Sequence, residues 1–213
     1  MIEKYKHIIW DWNGTLLDDL ELSVELINNV LVKRNLSPLT VEGYKSIFTF
    51  PVIKYYAMTG LDFDKEPFEV VGKEWMDGYE SRKKECGLAK HAIDVLELIQ
   101  QKGIPQSILS AYSQKSLERF VSEFGLSNYF SHLVGLDHIY ATGKIELGKQ
   151  LIAKLGLQKG ESLLIGDTLH DHEVAMEIGA DSILIASGHQ DKARLMATNV
   201  RVFASLEQFY RRL

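Results

Sequence analysis

The chain has 213 residues, and its content of 46% hydrophobic and 10% aromatic residues is typical of a folded, soluble protein rather than a disordered one. A formal net charge of -5 without a dense Lys/Arg block argues against nucleic acid or an anionic membrane as a partner. Cys86 is the only cysteine, which excludes an intramolecular disulfide, and no apolar run approaches the roughly 18 residues of a membrane span, so we expect a cytoplasmic protein.

Short apolar runs alternate with segments of helical period along most of the chain, which indicates an α/β fold with a parallel sheet and helices on both of its faces. The predicted strands are residues 7–11, 106–110, 132–136, 162–167, 181–186 and 201–203. The predicted helices that follow them are residues 91–102, 113–124, 146–155, 171–178 and 206–212. Glycines stand where four of these helices are predicted to end, namely Gly103, Gly125, Gly156 and Gly179.

Residues 18–87 follow a different pattern, because they contain helical periods and no convincing strand. The helices expected in this segment are residues 18–35, 51–58 and 64–86. Asp64 is a candidate cap for the third helix, with Pro67 in its first turn. The segment is therefore predicted to be a helical insertion that leaves the sheet just after its first strand.

The end of the first predicted strand carries the strongest candidate site. Residues 11–16 read Asp-Trp-Asn-Gly-Thr-Leu and put a carboxylate at the carboxyl end of a buried strand, followed by a glycine turn and a hydroxyl. Asp11 is a candidate nucleophile for phosphorus, while Gly14 and Thr15 are candidates to contact a phosphoryl oxygen. The alternative is a plain strand followed by a turn, for which Asn-Gly is a strong signal.

A second apolar strand also ends in carboxylates. Asp167 ends the run that begins at Ser162, and Asp171 follows four residues later at the entry to a predicted helix. The two side chains flank a turn and could direct their oxygens at one hard cation. Asp171 would equally suit the cap of that helix, and one residue can do both.

These two motifs, in this order, resemble those of the haloacid dehalogenase superfamily, whose phosphatases carry Asp-x-Asp-Gly-Thr in the first motif and Gly-Asp-x-x-x-Asp in the fourth. The resemblance extends to Ser110, which matches the hydroxyl of the second motif, and to Lys144, which matches the lysine of the third. Taken alone, Ser110 would be an ordinary strand-end serine, with Ser113 the better helix cap, and Lys149 competes with Lys144.

The resemblance implies a Rossmann-like core of residues 1–17 and 88–213 and an α-helical cap of residues 18–87. It also implies a Mg²⁺-dependent phosphatase for a small phosphorylated metabolite, similar to the phosphoglycolate phosphatases, that works through an aspartyl-phosphate. The implied metal ligands are Asp11, the backbone carbonyl of Asn13, Asp167 and Asp171, and the implied phosphate-binding residues are Gly14, Thr15, Ser110 and Lys144.

Asn13 departs from the family pattern, because the phosphatases keep an aspartate there that protonates the leaving oxygen and then activates water. An asparagine cannot exchange a proton in this way near neutral pH. General acid-base help is worth roughly 10²–10⁴ in rate, so slow hydrolysis would survive its loss. Candidate substitute acids, chosen by closeness in sequence, are His170, His172 and Asp18.

The same departure leaves two other functions open. A long-lived aspartyl-phosphate would make the protein a phosphotransferase or mutase, and weak catalysis would make it a sensor or partner-binding protein for a phosphorylated metabolite. A nucleotide-binding loop is a weaker alternative: residues 143–150 nearly satisfy its pattern, but Gln150 cannot supply the metal-binding hydroxyl, and residues 140–142 do not predict a buried strand.

Aromatic residues of the insertion stand at helical spacing, which predicts a small core of its own and does not name a substrate. They are Phe48, Phe50, Tyr55, Tyr56, Phe63, Trp75 and Tyr79. Arg82, Lys83 and Lys84 follow them, and we expect a solvated helix end there rather than a site for an anionic substrate.

Overall fold

The structure is a computed structural model that describes residues 1–136 and 143–213. Its strands are, in chain order, β1 (His7–Trp10), β2 (Leu17–Asp18), β3 (Gly87–Leu88), β4 (Gln106–Ser113), β5 (His132–Leu136), β6 (Ser162–Gly166), β7 (Asp181–Ile185) and β8 (Arg201–Phe203). Its α-helices are α1 (Leu20–Lys33), α2 (Val41–Ile47), α3 (Val52–Met58), α4 (Phe68–Arg82), α5 (Ala92–Gln101), α6 (Gln114–Glu123), α7 (Lys144–Leu155), α8 (Leu169–Ile178), α9 (Lys192–Met196) and α10 (Leu206–Tyr210). Within these described ranges, no helix has both the length and the apolar character needed to cross a bilayer.

Six of the strands form one parallel sheet in the order β5-β4-β1-β6-β7-β8. β1 lies near its middle, where Trp10 is level with Ile108 of β4 and Ile165 of β6. All four residues of β1 are buried, as expected for a strand that is covered on both faces. The predicted α/β fold class is confirmed.

Side chains of β1 alternate between two apolar layers, because successive residues of a strand point to opposite faces. Ile8 and Trp10 belong to the layer that includes side chains of α5, α6 and α10. Ile9 packs instead with Leu151 of α7 and Val174 of α8. Helices therefore cover both faces of the sheet, and the carboxyl ends of the strands are left to carry polar groups.

Helices α1 to α4 lie between β2 and β3 and pack around an apolar cluster of their own, which includes Ile27, Tyr55 and Val71. β2 and β3 pair in antiparallel fashion, with Leu17 opposite Leu88. The chain therefore leaves and re-enters the rest of the molecule through two adjacent strands. The domain limits expected at residues 18 and 87 stay a prediction.

Two short helices, α2 and α9, were not predicted from the sequence. They have seven and five residues, too few to display a helical period, and each begins at a side-chain cap, Thr40 and Asp191 respectively. The helix predicted over residues 64–86 is also shorter than expected. It corresponds to α4, which begins after Pro67 rather than after Asp64 and ends at Arg82.

Candidate active site

The carboxyl ends of three neighbouring strands bring the predicted site residues together. Asp11 directly follows β1, Asp167 directly follows β6, and Ser110 lies in β4. Because β1 is between β4 and β6, these side chains share one edge of the sheet, where parallel α/β sheets bind their ligands. Lys144, the first residue of α7, reaches the same place.

Asp11, Asp167 and Asp171 form a cluster, the acidic triad, in which carboxylate oxygens lie within 4.8 Å of one another. The three residues are only 7%, 1% and 2% exposed. Lys144 Nζ donates to Asp11 Oδ1 at 2.5 Å and to Asp171 Oδ1 at 2.6 Å. Once ionised, three carboxylates face one ammonium group, which leaves the buried site two positive charges short.

Hydrogen bonds hold two members of the acidic triad in place. Asp167 accepts from Thr15 Oγ1 at 3.1 Å and from the backbone N–H of His189 at 2.6 Å. Asp171 Oδ2 accepts from the N–H of Thr168 at 2.9 Å and from its hydroxyl at 2.6 Å, which closes a capping box at the start of α8. Asp171 therefore caps the helix and also belongs to the acidic triad.

Burial and mutual repulsion oppose full ionisation of the acidic triad. Burial raises the pKa of Asp11, and Asp171 and Asp167 add to the rise against the opposing charge of Lys144. Burial also raises the pKa of Asp167. Burial opposes ionisation of Asp171 too, but Lys144 and Thr168 outweigh it and hold its pKa below the usual value. An additional positive charge at this place would favour the ionised forms of Asp11 and Asp167.

The donor set fits a hard divalent cation. Carboxylate oxygens from three residues are ligands that Mg²⁺ and Ca²⁺ prefer, whereas zinc and copper select nitrogen and sulfur. The charge of such an ion would also match the two positive charges that the acidic triad and Lys144 together are short of. Asp11, Asp167 and Asp171 are therefore suited to hold a dication, and a fourth ligand from the Asn13 carbonyl stays a prediction.

Asn13 is bound to two side chains of the insertion. Its Nδ2 donates to Asp19 Oδ2 and to Tyr79 Oη, both at 2.8 Å. Tyr79 Oη in turn donates to Asp19 Oδ2 at 2.7 Å. Asp19 directly precedes α1 and Tyr79 lies in α4, so the amide of Asn13 connects the end of β1 to the base of the insertion.

Asp19 also forms a buried ion pair with His189, whose Nε2 donates to Asp19 Oδ1 at 3.1 Å. The other ring nitrogen of His189, Nδ1, lies 3.0 Å from Tyr44 Oη. Burial alone would lower the pKa of His189, but the Asp19 carboxylate outweighs it and raises the pKa to about 9. The imidazole is therefore protonated at neutral pH, and Asp19 balances its charge.

Gly14 lies in the tightest part of the site. Its φ of 74° is in the left-handed region, and a Cβ there would lie 2.5 Å from both Asp167 Oδ2 and His189 Cδ2. Its N–H donates to Asp19 Oδ1 at 2.9 Å and to Leu17 O at 2.9 Å. The phosphate contact expected of Gly14 stays a prediction, while its need to be glycine follows from the close packing.

The two hydroxyls predicted to contact phosphate have different surroundings. Thr15 is fully buried, and its hydroxyl donates to Asp167, so it lies behind the acidic triad. Ser110 is buried in β4 but reaches the cavity beside the acidic triad, and its Oγ accepts from the N–H of Tyr112 at 3.0 Å. Ser113 caps α6, which confirms that it is the better helix cap of the two serines.

The candidate substitute acids lie in three different environments. Asp18 is exposed in β2, and His172 Nδ1 is hydrogen-bonded to Ser182 Oγ at 2.8 Å. His170 alone of the three borders the cavity. Asp19 and His189 were not among the residues predicted from the sequence. Asp19 directly follows β2, and His189 follows the turn at Ala186 and Ser187 after β7.

The basic residues considered from sequence lie away from the acidic triad. Arg82 pairs with Glu25 and Glu85, and Lys83 pairs with Glu80 at 2.7 Å. Lys84 is exposed. Lys149, the competitor of Lys144 and the lysine of the nucleotide-loop alternative, is on the surface near Glu146 and Glu177. Residues 140–142, which that alternative also invoked, lie outside the described residues.

A cavity of about 310 Å³ adjoins the acidic triad. The part of its wall that comes from outside the insertion includes Asp11, Ser110, Lys144 and Asp167. The wall that comes from the insertion consists mainly of aromatic and aliphatic side chains, among them Tyr44, Phe48, Phe50, Val52, Ile53, Tyr55, Tyr56, Phe68, Trp75, Met76 and Tyr79. The arrangement places charged groups that suit a metal ion and a phosphoryl group beside a largely apolar enclosure.

The sequence profile described as haloacid dehalogenase-like hydrolase matches residues 8–185. The chain is 24% identical over 192 residues to a phosphoglycolate phosphatase from Synechococcus elongatus, covering 89% of this chain and 88% of that protein. It is 22% identical over 193 residues to an N-acetylmuramic acid 6-phosphate phosphatase from Pseudomonas aeruginosa, covering 87% and 84% respectively. A solved structure of a haloacid dehalogenase-like family hydrolase from Streptococcus pneumoniae matches with a TM-score of 0.79 at 20% identity and covers 99% of both chains. The resemblance expected from the motifs is confirmed, and the chain belongs to the haloacid dehalogenase-like hydrolases.

Proposed function

We propose that the protein is a Mg²⁺-dependent phosphatase that hydrolyses a small phosphate monoester through an aspartyl-phosphate on Asp11. One observation carries the proposal: three buried carboxylates converge within 4.8 Å beside Lys144, at the wall of a cavity of about 310 Å³. The phosphatase activities named for its relatives support the same reaction class.

Asp11 is the nucleophile in this mechanism. One of its carboxylate oxygens attacks phosphorus, the bond from phosphorus to the ester oxygen breaks, and the ester oxygen takes a proton from solvent as the alcohol leaves. Water then attacks the phosphorus of the aspartyl-phosphate and gives up a proton to solvent, the bond from phosphorus to the Asp11 oxygen breaks, and inorganic phosphate leaves with the Asp11 carboxylate restored. A bound Mg²⁺ supplies positive charge that offsets the negative charge of the phosphoryl group and the carboxylates.

The residues around Asp11 bind the phosphoryl group and orient the carboxylates. Lys144 lies between Asp11 and Asp171 and offsets charge as the phosphoryl group arrives. Ser110 holds a phosphoryl oxygen from the cavity wall. Thr15 orients Asp167 through the hydrogen bond at 3.1 Å. Residues 18–87 serve as the cap that encloses the ester.

A phosphotransferase is the second candidate, and the contacts of Asn13 favour it. The Asn13 amide is bound to Asp19 and Tyr79 and has no proton to exchange with the leaving alcohol or with water. Hydrolysis of the aspartyl-phosphate would then be slow, and an acceptor alcohol would compete with water. Transfer to an added acceptor sugar phosphate that exceeds release of free phosphate would select this candidate over the phosphatase.

The phosphatase proposal is tested with para-nitrophenyl phosphate, a generic monoester, in the presence of Mg²⁺. We expect turnover that EDTA abolishes and that Asp11→Asn lowers by at least ~10³-fold, because the nucleophile is removed. Asp64→Asn is the matched control, since it makes the same change on an exposed residue that does not line the cavity and should retain activity. Full activity in Asp11→Asn would refute the proposal.

A further inference from the structure

The side chains that line the cavity beside the acidic triad indicate which kind of alcohol group the substrate has. We propose that the site takes phosphate monoesters whose alcohol is an uncharged, apolar group of benzyl or hexyl size, in preference to carboxylated or polyhydroxylated esters. This inference rests on the proposed phosphatase function and adds the substrate class. Four features of the cavity support it: its apolar wall, the scarcity of unpaired cations and of free hydroxyls among its described lining residues, and its size.

The apolar wall packs against two histidines that lie next to the acidic triad in the wall of the same cavity. Phe50 lies against His170, with ring centroids 4.9 Å apart, and Phe48 lies 5.1 Å from His189. Both phenylalanines line the cavity together with Met76 of α4. A phosphoryl group bound at Asp11 would place the adjoining part of the ester beside these side chains, where transfer from water favours apolar groups.

Cations that could receive a substrate carboxylate are missing from the described part of this wall. Lys144 is the single lysine or arginine among the described lining residues, and it is held by Asp11 and Asp171. Arg82 and Lys83 are held by glutamates outside the cavity. A carboxylate placed among the aromatic side chains would lose its hydration without gaining a partner, which is strongly unfavourable.

The two histidines of the wall do not supply such a partner. His189 Nε2 is already paired with the Asp19 carboxylate at 3.1 Å, and its Nδ1 lies 3.0 Å from Tyr44 Oη. His170 has an acidic neighbour of its own, because its Nδ1 lies 3.2 Å from Glu173 Oε2. An anionic substrate group would have to compete with these carboxylates as well as with the negative charge of the acidic triad.

Three tyrosine hydroxyls of the wall are engaged within the protein, and Tyr55 Oη, which has no partner among the described residues, is itself buried, which disfavours a sugar phosphate. Tyr44 Oη is bonded to His189, and Tyr79 Oη is bonded to both Asp19 and Asn13. Tyr112 Oη is bonded to Glu80. A polyhydroxylated substrate would therefore leave several of its own donors and acceptors without partners, each at a cost in binding.

The size of the cavity agrees with one phosphoryl group and one compact apolar group. A cavity of about 150 Å³ is sufficient to bind benzene in a protein interior. The cavity here has about twice that volume, about 310 Å³. An ester such as benzyl or hexyl phosphate would therefore fill it, whereas 2-phosphoglycolate would leave most of the apolar wall without contact.

The test compares kcat/KM of the wild-type enzyme with Mg²⁺ for hexyl phosphate and for 6-phosphooxyhexanoate, which differ by one terminal carboxylate. We expect hexyl phosphate to be preferred by at least about tenfold, and each methylene added from ethyl to hexyl phosphate to raise kcat/KM by about three- to fourfold. Glucose 6-phosphate and 2-phosphoglycolate should rank below hexyl phosphate. Equal or better use of the carboxylated ester, or no dependence on chain length, would overturn the inference.

A pair of variants tests the same wall. Met76→Arg puts a cation beside the aromatic side chains and should lower the preference for hexyl phosphate over 6-phosphooxyhexanoate by about tenfold or more. Met76→Leu, the matched control, should keep the wild-type preference. If Met76→Arg does not fold, as judged by thermal unfolding, the wild-type comparison still decides.

The failure of this inference is distinguishable from the failure of the proposed function. Hydrolysis of para-nitrophenyl phosphate that depends on Mg²⁺ and on Asp11, together with a preference for 6-phosphooxyhexanoate, would retain the phosphatase and reject the apolar substrate class. No hydrolysis of any monoester would reject both.

Discussion

Asn13 Nδ2 and Asp19 Oδ2 are joined by a hydrogen bond of 2.8 Å. An amide therefore stands where the family's phosphatases keep an aspartate, and a carboxylate stands six residues later in contact with it. The contact explains why Asn13 suits this chain: two carboxylates at this distance would repel one another in a buried site. Residue 13 therefore has no carboxylate of its own, but its side chain contacts the carboxylate of Asp19.

Exchanging the two side chains tests this relationship. We expect Asn13→Asp alone to lower the free energy of unfolding at pH 7.5 by about 1–3 kcal/mol, because Asp19 loses a donor and gains a like charge. The double variant Asn13→Asp/Asp19→Asn restores one amide and one carboxylate, although Asp19→Asn also removes the carboxylate that is paired with His189. We therefore expect its loss of stability to be smaller than the sum of the losses in Asn13→Asp and Asp19→Asn by about 0.5–3 kcal/mol. Urea unfolding of the two single variants and the double variant measures this coupling, with Asn128→Asp as a control on an exposed asparagine.

The double variant should also hydrolyse para-nitrophenyl phosphate faster than the wild type, by up to roughly 10²–10⁴-fold, if the absent acid limits turnover. Coupling between the two substitutions without any gain in rate would show that another group already exchanges the proton. Losses of stability that simply add in the double variant would contradict the assigned contact.

The ion pair of His189 with Asp19 makes stability depend on pH. The pKa of His189 is raised from its usual 6.5 to about 9 in the folded protein. The folded state therefore holds the proton more tightly than the unfolded state, and the resulting stability is complete below pH 6.5 and is lost as the pH rises through 9. In EDTA, we expect the free energy of unfolding of the wild type to fall between pH 6.5 and 10 by about 3 kcal/mol more than that of His189→Gln.

The matched control for this comparison is His172→Gln, whose ring is bonded to Ser182. It should show the wild-type dependence on pH. Identical pH profiles for the wild type and His189→Gln would show that the buried imidazole does not hold a proton at neutral pH.

Lys144 is expected to stabilise the acidic triad when no metal ion is bound. Lys144→Met leaves three buried carboxylates without a cation and should lower the free energy of unfolding in EDTA by about 3–5 kcal/mol. Added Mg²⁺ should recover part of this loss, and its stabilising effect should be larger in the variant than in the wild type. Thermal unfolding with and without Mg²⁺ measures both effects.

Lys149→Met is the control for Lys144→Met, because it removes an exposed lysine from the same helix. It should leave the unfolding temperature almost unchanged. An equal effect of Mg²⁺ on all three proteins, or none on any, would argue against a dication among Asp11, Asp167 and Asp171.

Two buried tyrosines of the insertion should respond in opposite ways to loss of the hydroxyl. Tyr55 Oη has no hydrogen-bond partner among the described residues, so Tyr55→Phe should leave the free energy of unfolding unchanged or raise it by up to about 1 kcal/mol. Tyr44→Phe removes the partner of His189 Nδ1 and should lower it by about 1–3 kcal/mol. Urea unfolding of both variants checks the contrast, which a loss in Tyr55→Phe would contradict.

Much of the sheet could be predicted from the sequence, because strands buried on both faces appear as uninterrupted apolar runs. Residues 132–136 and 201–203 were predicted with the limits that β5 and β8 have in the structure. The short helices could not be found in the same way. A seven-residue helix such as α2 completes about two turns, and its limits are set by the cap at Thr40 and by packing against α1.

The residues of the candidate site also differ in whether their contacts could be predicted from the sequence. Asp11 and Asp167 could be anticipated to meet, because each follows an apolar strand and parallel strands end at the same edge of the sheet. The pairing of Asp19 with His189 joins residues 170 positions apart, and neither residue belongs to a recognisable motif. Only the fold brings them together, so their contact could not be inferred from spacing along the chain.

The positions of the aromatic residues of the insertion could be predicted only in part. Their helical spacing correctly indicates packing within the insertion, since Tyr55 and Tyr56 belong to its apolar cluster. The same two residues also line the cavity, which periodicity cannot reveal. A helix presents one apolar stripe whether it is covered by its neighbours or by a ligand.

The antiparallel pair of β2 and β3 determines how the insertion is attached. Neighbouring strands lie about 5 Å apart, so Asp18 and Gly87 are held at the separation of an ordinary hairpin. A chimaera that takes the helices between them from a relative would therefore keep the ends of β2 and β3 in place. It would also have to supply hydroxyls that replace those of Tyr79 and Tyr44, which contact Asn13 and His189.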